Sequence, residues 1–175
     1  MDGKDAVHLM AGVGSPKLVS LSRRLTGDIR EVEEVINDLN WLFSQSHPYL
    51  RPLLHRGFRA RLGIALQDWE RLMDLNLEAS QEMERACFGP SEHLLYERVQ
   101  VFVEIYEPTV RALDMLFANL GAIAKDARDL SSDEAEIRSI ETRVESQTRA
   151  VGDMLTTMAA VRSIIVDGSW SDPRV

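Results

Sequence analysis

A chain of 175 residues and 19.8 kDa has the length of one domain, and its 45% hydrophobic and 27% charged content excludes a chain that is mainly disordered. Twenty Lys+Arg against 28 Asp+Glu leave a net charge of −8, which disfavours nonspecific binding to nucleic acid or to an anionic membrane. The lone Cys87 allows no internal disulfide and fits a reducing, cytoplasmic compartment; no stretch approaches the roughly 18 apolar residues of a membrane span.

Residues 1–16 read as an N-terminal extension, loosely docked or flexible. Its acids flank its lysine, so it does not resemble a signal peptide. Within it the apolar run from Ala6 to Val13 is the one feature that suggests a membrane-active module.

Prolines punctuate the rest of the chain. Pro16, Pro48, Pro52, Pro90 and Pro173 fall between long periodic segments, and only Pro108 interrupts one. The segments run over 17–46, 52–87, 91–128 and 132–167, each the length of a long helix. Leu18, Leu21, Leu25, Val32, Val35, Leu39 and Leu42 set a 3-4 period in the first, with Ile29, Ile36 and Phe43 widening the stripe. In the second, Phe58, Leu62, Ala65, Trp69, Leu72, Ala79 and Met83 continue without a gap. The third carries Leu95, Val99, Phe102, Tyr106, Leu113, Leu116 and Leu120, and Pro108 predicts a kink in it. The fourth carries Ile140, Val144, Val151, Met154, Met158 and Val161; Ser131 and Glu134 have the spacing of a capping box at its start, and Gly168 closes it.

Short connections between such segments favour antiparallel neighbours. The sequence therefore predicts an all-α fold, an up-down-up-down four-helix bundle over 17–168 with heptad-like core spacing, followed by a tail at 169–175.

Asp28, Asn76, Thr109 and Gln147 are the polar residues on the core stripe. Counting along the helices groups them in two layers, Asp28 and Asn76 level with Thr156 and Thr157, and Thr109 level with Gln147. Such layers either fix register through buried hydrogen bonds or floor a small-molecule pocket lined by Trp69, Tyr106 and Phe102. Arg51, Arg56, Arg59 and Arg61 fall in an acid-free run. They predict an ion-paired collar facing Glu31, Glu33, Glu34 and Asp38 and the acids at 133–136, or else contacts to an anionic ligand, chiefly from Arg51 and Arg56, which sit nearest the loop.

Chemical signals are sparse. No Glu-x-x-His occurs, His93 and Glu97 alone do not make a metal site, and Gly12-Val13-Gly14 is no phosphate loop. Cys87 at a helix C-terminus is disfavoured as a thiolate. No catalytic residue, cofactor or metal is expected. The function expected is a non-enzymatic interaction or scaffold module, self-associating or binding another protein, with Leu50, Leu53, Leu54, Leu75, Leu77, Met115, Phe117 and Ile164 available for a second apolar face. A ligand-sensing bundle is the alternative.

Overall fold

The computed structural model describes residues 16–88, 92–129 and 133–167. Among them the chain is all-helical: α1 Pro16–Gln45, α2 Arg51–Leu62, α3 Leu66–Cys87, α4 Glu92–Arg128 and α5 Glu134–Asp167. The expectations for the N-terminal extension, for the Ser131 cap, and for Gly168 and the tail fall outside the described residues.

The expected second segment, 52–87, is two helices rather than one, so five helices stand where four were expected. Gly63 ends α2 at φ +74°, a left-handed conformation that glycine adopts without steric cost. Its N–H donates to the Arg59 carbonyl at 2.8 Å. Helix α3 restarts three residues later, where the Asp68 carboxylate accepts from the Ala65 N–H at 3.4 Å. Pro52 sits in the first turn of α2, where a missing N–H costs nothing. At the far end of the chain the Asp133 carboxylate caps α5, accepting from the Ala135 N–H at 2.8 Å.

Helix α1 packs against α3 and α5, and α4 packs against the same two. Contacts along these seams run in opposite senses. Arg23 meets Glu84 and Thr26 meets Ser80 between α1 and α3; Asp28 meets Thr157 and Asp38 meets Gln147 between α1 and α5. Arg98 meets Glu82 and Thr109 meets Asn76 between α4 and α3; Glu107 meets Arg162 and Arg128 meets Glu141 between α4 and α5. Short α2 buries only Phe58 and Leu62 and packs chiefly on α4.

The stripe read from the sequence is the core. Leu18, Leu25, Trp69, Leu113 and Val151 are fully buried, and the widening residues Ile29, Ile36 and Phe43 join them. Leu21, Ala65, Leu72 and Val144 are only partly buried, and Met73, off the stripe, takes the core place beside Leu72. Each such side chain stabilises the fold by about 1.5–3 kcal/mol on burial. Helix α4 passes Pro108 as one helix from Glu92 to Arg128.

Candidate functional sites

All four polar stripe residues are buried, Asp28 at 9% exposure, Asn76 at 1%, Thr109 at 0% and Gln147 at 4%. Each finds a partner on a neighbouring helix. Asn76 Nδ2 donates to Thr109 Oγ1 at 2.7 Å, and that hydroxyl donates in turn to the Ile105 carbonyl at 2.7 Å. The Thr157 hydroxyl lies 2.5 Å from Asp28 Oδ2. Gln147 Nε2 donates to Asp38 Oδ2 at 2.8 Å. Thr109 thus pairs with Asn76 rather than lying in a layer with Gln147. Helices joined by connections of unequal length start at staggered heights, which residue counting along the chain does not register. A further polar group, Ser22, Thr26 and Ser80, links α1 to α3 through the 2.8 Å Thr26–Ser80 contact and a bond from the Ser80 hydroxyl to the Ser22 carbonyl.

Burial raises the Asp28 pKa above the ordinary aspartate value; the Thr157 hydrogen bond and the Arg24 guanidinium oppose that shift only in part. Gln147 lines a recess of about 430 Å³ between α1 and α5, together with Asp38, Glu34 and Arg143. Arg143 lies over the Trp41 ring at 4.4 Å.

The aromatic candidates are packed. Trp69 is 0% exposed. Tyr106 sits against Phe102 with ring centroids 5.9 Å apart and under the Arg162 guanidinium at 5.4 Å. Gln147 bonds to α1 at the α1–α5 seam while Tyr106 meets Arg162 on α5, fifteen residues further along that helix. A cavity of about 380 Å³ does lie beside Pro108, between α4 and the α2–α3 break, floored by Leu62, Ile64, Ala112 and Met115. It is separate from the Trp69, Tyr106 and Gln147 positions.

The four arginines divide. The Arg51 guanidinium caps the end of α1, donating to the Ser44 carbonyl and, at 3.2 Å, to the Ser46 carbonyl. Arg61 pairs with Asp126 of α4 at 2.8 Å. Arg56 and Arg59 reach no carboxylate among the described residues. The expected collar facing Glu31, Glu33, Glu34 and Asp38 does not form, because the turn at Gly63 sets α2 against α4 rather than extending α3. Instead Arg56 and Arg59 line a recess of about 420 Å³ with His55, Asn40 and the first turn of α3.

Cys87 is 1% exposed, and burial, aided by Glu84, pushes its thiol up to about 11. Among the described residues no group of three His, Cys, Asp or Glu is placed to hold a metal, and no helix is long and apolar enough to cross a membrane.

Of the residues read as a second face, Ile164 is core, at 5% exposure, and Leu54, Leu77 and Met115 pack partly against it. Phe117, Leu53 and Leu75 are exposed. Phe117, read from the sequence for a second face, stands with two exposed residues that were not read for it. Val103 on α4 and Val166 on α5 are 41% and 69% exposed, and the Phe117 ring lies over Gly152, 3.5 Å from where a Cβ would stand. From the Glu107–Arg162 ion pair, one turn either way brings Val103 level with Val166 and Val110 level with Ala159. The seven-residue spacing of Tyr96, Val103, Val110 and Phe117 was the available signal, hidden because it lies beside the core stripe.

No protein-family model, no curated protein and no solved structure matches the chain.

Proposed function

We propose that the chain is a non-enzymatic, cytoplasmic interaction module, an up-down-up-down bundle of α1, α3, α4 and α5 that self-associates through its α4–α5 seam. The observation that carries this reading is the set of exposed apolar side chains along that seam, Val103, Phe117 and Val166, with the small exposed Ala159 between Val166 and Phe117. A small residue such as Ala159 on one side of such a seam lets another helix approach closely, and exposed apolar surface favours association.

A second copy suits the charges. An antiparallel pairing of α4 about Tyr106–Glu107 sets Val103 against the copy's Val110 and Tyr96 against its Phe117. The same pairing brings Glu104 close to the copy's Arg111, and both are exposed with no ion pair among the described residues. The opposed seams of the four long helices support the bundle topology, and the buried, high-pKa Cys87 argues against a thiol nucleophile.

The test is photo-crosslinking of the purified protein with p-benzoylphenylalanine at position 117, with position 30 on the opposite helix α1 as control. Covalent dimer from position 117 alone is the expected result. Equal yields from both positions, or none from 117, would contradict the reading.

A ligand-sensing module is the second reading, and the cavity beside Pro108 favours it. A kink of α4 at Pro108 would alter that cavity, so a bound apolar molecule would couple to helix geometry there.

A further inference from the structure

The recess between α1, α2 and the start of α3 lies away from the α4–α5 seam and has a chemistry of its own. Helix α2 is RPLLHRGFRARL, with no acid in 12 residues. Two of its four arginines are already engaged, Arg51 on the Ser44 and Ser46 carbonyls and Arg61 on Asp126. Arg56 and Arg59 are the remaining pair, three residues apart and therefore neighbours on one helix face. Two like charges so placed repel each other unless an anion sits between them. Both line the same cavity of about 420 Å³, and His55 and Asn40 line it as well.

The opposite wall is the first turn of α3. Its N-cap is Ala65, which has no side-chain oxygen to cap the helix, and Ala65, Leu66 and Gln67 all line the recess. The Leu66 and Gln67 N–H groups have no acceptor among the described residues, whereas those of Asp68 and Trp69 bond to the Ala65 carbonyl. The carboxylates nearby are Asp68, engaged with the Ala65 N–H, and Glu70, which lines the recess and has no ion pair among the described residues. Two unneutralised guanidiniums and an uncapped helix start therefore converge on one concave space. This donor set matches a phosphoryl group, since guanidinium forks fit its oxygens bidentately. The cavity exceeds the size of a bare phosphate ion, and Asn40, Gln67 and Glu70 offer polar contacts for the hydroxyls or amines of the molecule that carries it.

We propose that this recess binds the phosphoryl group of a small soluble molecule, with Arg56 and Arg59 as its cationic contacts. The site is open at the surface and needs no rearrangement of the bundle core, because both arginines stand on the exposed side of α2.

Isothermal titration calorimetry of the full chain with inorganic pyrophosphate at low ionic strength tests this. Arg56→Gln and Arg59→Gln are expected to weaken binding about tenfold each, as loss of one charge-assisted contact implies. The double variant Arg30→Gln/Arg149→Gln removes the same kind of charge elsewhere and is expected to leave binding within about twofold. Glu70→Gln is expected to tighten it. Absence of pyrophosphate binding, or an equal loss in the Arg30/Arg149 control, would overturn the proposal. A parallel titration with phosphatidylcholine vesicles containing a phosphoinositide separates the sources: a vesicle signal with none for pyrophosphate would overturn a soluble-ligand site.

Discussion

Asn76 Nδ2 stands 2.7 Å from Thr109 Oγ1, and this single hydrogen bond joins α3 to α4 between two side chains that are 1% and 0% exposed. Both partners also bond to their own helices, Asn76 to the Leu72 carbonyl at 2.8 Å and Thr109 to the Ile105 carbonyl. The pair therefore fixes how far α3 slides along α4. Apolar contacts alone tolerate a shift by one heptad, but a buried amide left without its acceptor does not.

Thr109→Val keeps the shape and removes the acceptor, so it is expected to cost about 1–3 kcal/mol. Asn76→Leu removes the donor. In a double-mutant cycle read by urea denaturation, the two changes together should cost clearly less than their sum. Additive losses would show that the pair does not act as a unit.

Asp28 gives a pH dependence of defined sign. Its folded pKa is raised by burial, so the folded state holds that proton more tightly than the unfolded chain does. Its contribution to stability is fully present below the unfolded aspartate value, about 3.9, and is lost as pH rises through the higher folded value. Asp28→Asn removes this dependence while keeping an acceptor for the Thr157 hydroxyl. The Tm of the variant relative to the parent is therefore expected to climb as pH rises above the ordinary aspartate value. A difference that is flat or falls with pH would contradict the assignment.

Two glycines should respond oppositely to alanine. Gly63 has φ +74°, so Gly63→Ala strains the α2–α3 turn and should destabilise by about 1 kcal/mol. Gly27 lies inside α1 with nothing within 4 Å of an added Cβ, so Gly27→Ala should stabilise by up to about 1 kcal/mol. Thermal denaturation of both variants checks the pair of signs.

The Cys87 thiol, 1% exposed and pushed up to about 11, should react with Ellman's reagent at neutral pH far more slowly in the native protein than after denaturation in guanidinium. Rapid native labelling would show that the α3 terminus opens readily.

Much of this fold was legible because apolar spacing at 3-4 intervals has one physical meaning, a helix with a buried face. Ile29, Ile36 and Phe43 were recognisable as core for that reason. The break at Gly63 was not, since Phe58, Leu62, Ala65 and Trp69 keep the period across it; only the glycine and Asp68 mark the interruption. Burial of Asp28, Asn76, Thr109 and Gln147 followed from their place on the stripe. Their partners did not, because interhelix stagger depends on three-dimensional packing, and Asp38, read as an arginine partner, accepts from Gln147 instead. Arg56 and Arg59 separate from Arg51 and Arg61 only once the turn has placed α2 on α4.

Association through the α4–α5 seam is tested most directly by sedimentation velocity of the purified chain over a concentration series. The expected result is a reversible dimer for the parent protein, and a monomer over the same range for Val103→Ser/Phe117→Ser, whose substitutions fall on exposed positions and leave the core intact. A parent chain that remains monomeric throughout, or a dimer indifferent to both substitutions, would contradict it.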